Sequence, residues 1–69
     1  MKRINDTDGN LVEVVAELRV ETEKAYQILC GTVLCWIPKS LVEQMDIRPD
    51  NKSYDMVFPE WLAEEKGLI

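Results

Sequence analysis

A chain of 69 residues makes one small domain, whose single core supplies only about 3–5 kcal/mol of net stability. It has no histidine and two cysteines, and its thirteen acidic residues against eight basic ones give a net charge of −5. Histidine-based acid–base chemistry and cysteine–histidine nucleophiles are thereby excluded, and the acidic balance opposes nonspecific attraction to nucleic-acid phosphates.

Hydrophobic residues at 46% suffice for a packed core, and charged residues at 30% fit a solvated surface. No apolar run approaches the roughly 20 residues that cross a bilayer. Met1-Lys2-Arg3 leads into Asn5, Asp6, Asp8 and Gly9 rather than an apolar stretch, so no signal peptide is read. The expectation is a cytoplasmic protein with reduced thiols and no membrane contact.

Residues 1–10 are polar and turn-rich, and read as a flexible leader or a lead-in to the first strand; residues 11–69 read as the domain. From Leu11 to Glu21 the chain alternates. Val12, Val14, Ala16, Leu18 and Val20 fall on one face, while Glu13, Val15, Glu17, Arg19 and Glu21 fall on the other. Period two with β-branched residues predicts a long half-buried strand. Thr22-Glu23 makes a turn into a second strand, Lys24 to Cys30. Gly31-Thr32 suits a two-residue hairpin turn with glycine at its first central position. Val33 to Ile37 is continuously apolar, which predicts a strand buried on both faces or wrapped by later segments. Pro38 ends it, because proline cannot donate to a ladder.

Ser40 and Glu43 have capping-box spacing, so a short helical turn is expected there, with strand continuation through Leu41 and Val42 as the competing reading. Arg48 to Ser53, with Pro49, Asp50 and Asn51, is a loop. Tyr54 to Phe58 is a fourth strand. Pro59 opens a short C-terminal helix with Glu60 near its start, Lys66 near its end and Gly67 as its left-handed cap. Trp61 and Leu62 are expected to face inward, with Leu68 and Ile69 folding back onto them. The fold class is mainly β: a small antiparallel barrel-like sheet of the SH3 or OB kind, with three to five strands and a short C-terminal helix.

Cys30 and Cys35 flank the hairpin turn. A two-residue turn sets them diagonally and unpaired, whereas a four-residue loop would set them opposite and permit a disulfide. Their spacing fits neither a redox nor a zinc motif, so no metal or cofactor is expected. Glu13, Glu17 and Glu21 share the wet face of the first strand and, with Glu23, form an acidic stripe. Asp46, Asp50 and Asp55 form a second acidic area. Trp36 is read either as a core or interface residue or as an exposed platform, with Lys39 close by in sequence.

Three segments occur in order: Val20-Glu21-Thr22-Glu23-Lys24-Ala25, then Trp36-Ile37-Pro38-Lys39-Ser40, then Pro59-Glu60-Trp61-Leu62-Ala63-Glu64-Glu65-Lys66-Gly67-Leu68. Over Val20 to Leu68 the chain resembles small uncharacterised proteins of bacteriophages and other mobile elements. The resemblance implies a phage-encoded protein, and tiny acidic phage proteins of this kind are often host-directed inhibitors of anti-CRISPR or anti-restriction type. It implies no catalytic residue.

The resulting expectation is a non-enzymatic protein-binding module that blocks a host or phage protein with a basic surface. Glu13, Glu17, Glu21 and Glu23 would supply charge, and Trp36 with Lys39 an anchor. A single-stranded nucleic-acid binder is the alternative, with Trp36 and Tyr26 stacking on bases and Lys39, Arg19 and Lys24 meeting phosphates; net charge disfavours it. A third alternative is an assembly protein or homodimer joined through strand edges.

Overall fold

The computed structural model describes the backbone of residues 2–6 and 9–69 and the side chains of residues 10–69. A thirteen-residue strand, β2 (Gly9–Glu21), is its spine. Along one edge β2 pairs first with β1 (Lys2–Asp6), over Gly9 to Glu13, and then with β3 (Ala25–Cys30), over Glu17 to Glu21. Along the other it pairs with β6 (Ser53–Pro59), over Leu11 to Glu17. β4 (Val33–Pro38) hairpins onto β3, and β5 (Gln44–Ile47) lies outside β6. The sheet is antiparallel throughout, in the order β4-β3-β2-β6-β5 with β1 beside β2, and among the described residues its two ends do not join. A six-residue helix, α1 (Glu60–Glu65), follows β6 directly and packs on β2 and β6.

The mainly β, barrel-like architecture with a short terminal helix is the expected one. Two strands come in addition to the four read from sequence. β1 lies in the segment read as a lead-in, of which Met1, Thr7 and Asp8 fall outside the described residues. β5 is formed by Gln44-Met45-Asp46-Ile47, too short to show a period. The helical turn before it is a 3-10 turn at Lys39–Leu41, but no side chain caps it, so Ser40 and Glu43 are not a capping box.

Register follows from the pattern of β2. Val12, Val14 and Ala16 lie opposite Phe58, Met56 and Tyr54, and directly opposed residues of an antiparallel pair share a face. That face carries the core: Val12, Val14, Ala16, Ile28, Ile37, Met56 and Phe58, closed by Leu62 and Ala63 of α1. Full burial of Phe58 alone stabilises the domain by about 1.5–3 kcal/mol. Gly31 has φ +63° while Thr32 does not enter the positive-φ region, as a two-residue turn with glycine first requires. Cys30 consequently opposes Val33 and Cys35 opposes Ile28, which leaves the thiols diagonal and free.

The Arg48–Ser53 connection is a turn with Pro49 at its second position; the Asn51 N–H donates to the Arg48 carbonyl at 3.0 Å, and Asn51 takes φ 59°. Asp50 closes it by accepting from the Lys52 and Ser53 N–H groups, each at 2.9 Å, and from Ser53 Oγ at 3.0 Å. These bonds to its ionised form, the one from the Ser53 backbone foremost, hold the Asp50 carboxyl below its usual range. Asp50 is thus a turn-closing residue.

Candidate functional site

The outward face of β2, β3 and β4 carries the apolar surface that the core does not use. Gln27 opposes Trp36 and Leu29 opposes Leu34 across the β3–β4 ladder, and Glu17 opposes Leu29 across β2–β3. Trp36 is 41% exposed and Leu34 54% exposed, on a strand whose next residue, Ile37, is wholly buried. The expectation that Val33 to Ile37 is buried on both faces therefore fails at Leu34 and Trp36. Core elements cover the inner face alone.

A bulge extends this patch. The β2–β3 register passes from Leu18 opposite Ile28 to Val20 opposite Gln27, so Arg19 is an inserted residue. Beyond it the parity of β2 reverses. Val20, read as inward-facing, sits beside Gln27 on the outer face and is 44% exposed. Glu21, read as part of the wet-face stripe, sits opposite Tyr26, whose side chain packs against the core. The stripe is thus broken: Glu13 and Glu17 remain on the outer face, Glu21 crosses to the inner one, and Glu23 is exposed in the turn between β2 and β3.

Lys39 goes with Glu21. Its Nζ donates to Glu21 Oε2 at 2.6 Å and stands 5.0 Å from the centroid of the Tyr26 ring. The hydrogen bond to Glu21 raises the Lys39 ammonium above its ordinary range. Trp36 and Lys39, adjacent enough in sequence to suggest one anchor, are therefore on opposite faces. The same geometry separates Trp36 from Tyr26, so these aromatics do not form a shared stacking platform.

The rim of the outer face is charged. Arg19 Nη1 meets Glu17 Oε1 at 3.2 Å, a half-exposed pair of the kind that contributes about 0–1 kcal/mol. Asp46 and Asp55 oppose one another across β5–β6, like charges that would repel if unaccompanied. Arg48 Nη1 donates to Asp55 Oδ1 at 2.7 Å, and Gln44 Nε2 to Asp46 Oδ2 at 2.6 Å. The second acidic area of the sequence thus reduces to Asp46 and Asp55.

The end of the β2–β3–β4 sheet is where two of the resemblance segments meet. Thr22 Oγ1 accepts from the Ala25 N–H at 3.1 Å, and the Lys39 N–H donates to the Lys24 carbonyl at 2.8 Å. In the third segment, Leu62 and Ala63 take the core side of α1 while Trp61, expected inward, is 54% exposed. Six residues allow one buried stripe, and Leu62 with Ala63 occupies it. Trp61 lines a shallow open cleft of about 260 Å³ with Asn10, Glu60 and Glu64. Leu68 returns to the core as expected; Ile69 stays exposed.

Burial raises the Cys35 thiol above its ordinary range, opposed by Lys66 and reinforced by Cys30. Among the described residues no three His, Cys, Asp or Glu side chains gather as a metal site, and no helix is long and apolar enough to cross a membrane. No protein-family model, curated protein or solved structure matches the chain.

Proposed function

We propose that the chain is a non-enzymatic protein-binding module whose contact surface is the outer face of β2–β4. The observation that supports it most is the exposure of Trp36 and Leu34 on a hairpin whose other face is buried. Exposed tryptophan flanked by aliphatic side chains is the composition of an interface hot spot. Val20 and Leu29 extend the apolar centre, and Glu13, Glu17 and Asp46 give the rim an acidic bias. The partner of matching chemistry is a protein with an apolar recess for the indole ring and basic groups around it.

The likeness of the three segments to phage proteins supports a setting inside a bacterial cytoplasm. There the module would occlude a basic surface of a host defence complex by steric and charge blockade. Glu13 and Glu17 act as rim charges in this reading. Glu21 and Lys39 hold the end of the sheet together instead of meeting the partner.

The test is affinity capture from bacterial lysate with the tagged chain, with and without nuclease, run beside Trp36→Ala. A protein captured through nuclease treatment and lost with Trp36→Ala fits the proposal. Capture that collapses with nuclease would replace it with direct nucleic-acid binding.

A further inference from the structure

β4 is a terminal strand: β3 pairs one of its edges, and among the described residues no strand pairs the other. The register shows which backbone groups are left over. The Gly31-Thr32 turn makes Cys30 and Val33 a hydrogen-bonded pair, and such pairs alternate along an antiparallel ladder. Val33, Cys35 and Ile37 therefore direct their N–H and C=O groups to β3. Leu34 and Trp36 direct theirs to the open edge. Pro38, the next residue in the outward series, has no N–H to offer. Lys39 returns to the ladder through its bond to Lys24. The opposite terminal strand, β5, is only four residues long and carries Asp46, both of which discourage edge pairing. β4 is six residues long and has no charged side chain.

We propose that β4 pairs antiparallel with β4 of a second copy of this chain, about a two-fold axis at Cys35. In this register Leu34 lies opposite Trp36 of the second copy and exchanges two N–H···O=C bonds with it, and the symmetric pair does the same. Val33 lies opposite Ile37, and Cys35 opposite its equivalent. Every edge-facing N–H of Leu34 and Trp36 is satisfied.

The occupant follows from register and from the side-chain pattern of the strand. Two chains of net charge −5 repel, yet Val33–Pro38 sets no like charges against each other across the axis. The strand is close to a palindrome in size: β-branched Val33 meets β-branched Ile37, and Leu34 meets Trp36. Neighbouring registers are poorer. An axis at Trp36 would set Leu34 against Pro38 and lose a donor, and an axis at Leu34 would set Trp36 against Thr32 in the turn. Pairing at Cys35 also continues the outer face of one copy into that of the other. It does not depend on what that face binds.

Sedimentation equilibrium over a concentration series tests the pairing. The wild-type chain is expected to reach twice its 8.0 kDa mass. Leu34→Pro removes an N–H with no partner inside the fold and blocks the edge, and Leu34→Asp places a charge against the indole of the second copy. Both are expected to sediment at monomer mass while keeping the β-rich circular dichroism spectrum of the folded chain. A wild-type chain that stays monomeric at its highest soluble concentration overturns the proposal. So does a folded Leu34→Pro that still doubles in mass. Should Leu34→Pro fail to fold, Leu34→Asp decides: doubled mass in that variant overturns the pairing, and monomer mass supports it.

Discussion

The two faces of the β3–β4 hairpin have the same strands and the same register but opposite fates. On the inner face Ile28 and Ile37 are wholly buried, in one core cluster with residues of β2, β6 and α1. On the outer face Leu34 and Trp36 are left to solvent. Apolar content is nearly equal on the two sides, so the difference lies in what the rest of the chain supplies as cover. Helix α1 is six residues long and covers one side only. The inner face accordingly belongs to stability, and the outer face stays open to solvent, which is why the proposed contact surface lies there.

That contrast can be broken from the inside first. Phe58→Ala should cost about 3–5 kcal/mol, comparable to the whole net stability of so small a domain, and should appear as an unfolded or barely folded chain by circular dichroism. Next is the turn that fixes the hairpin. Gly31 sits at φ +63° with nothing within 4 Å of where a Cβ would stand, so Gly31→Ala meets strain and no clash. It should cost about 1–2 kcal/mol, read by urea denaturation. A fully retained midpoint would show that the turn does not set the register.

The outer rim should behave differently. Reversing Glu13 and Glu17 to Lys together should leave the melting temperature within a few degrees but slow association with a basic partner and flatten its salt dependence. Unchanged kinetics would remove the acidic rim from the account. The smallest effect concerns Asp50. Its depressed pKa means that its contribution is present above the ordinary carboxylate range and is lost as pH falls through the folded-state value. Asp50→Ala should lower the melting temperature at neutral pH, and the gap from wild type should close on acidification. A gap that persists at low pH would contradict the turn-closing role.

Much of this was legible in the sequence. The alternation of Val12, Val14 and Ala16, the two-residue turn at Gly31-Thr32 and the cap at Gly67 all express local steric preferences, and the structure follows them. Features decided by tertiary context were not legible. The bulge at Arg19 leaves no trace in the pattern, because Val20 continues the apolar alternation that it then inverts. Its consequences are the displacement of Glu21, the Glu21–Lys39 bond and the separation of Lys39 from Trp36. Trp61 lies outside the buried stripe, and helix pattern alone does not say which residues of a single stripe α1 buries. Apolarity on both faces of Val33–Ile37 suggested two-sided burial, where the structure has one covered face and one open edge.

In the proposed function Trp36 contributes to binding and little to the fold. Titration calorimetry with the captured partner, using wild type and Trp36→Ala beside thermal melts of both, tests it most directly. An affinity loss of about 30-fold or more is expected, the size of a hot-spot tryptophan, with the melting temperature nearly unchanged. Equal affinity, or a collapse of the fold, would contradict it.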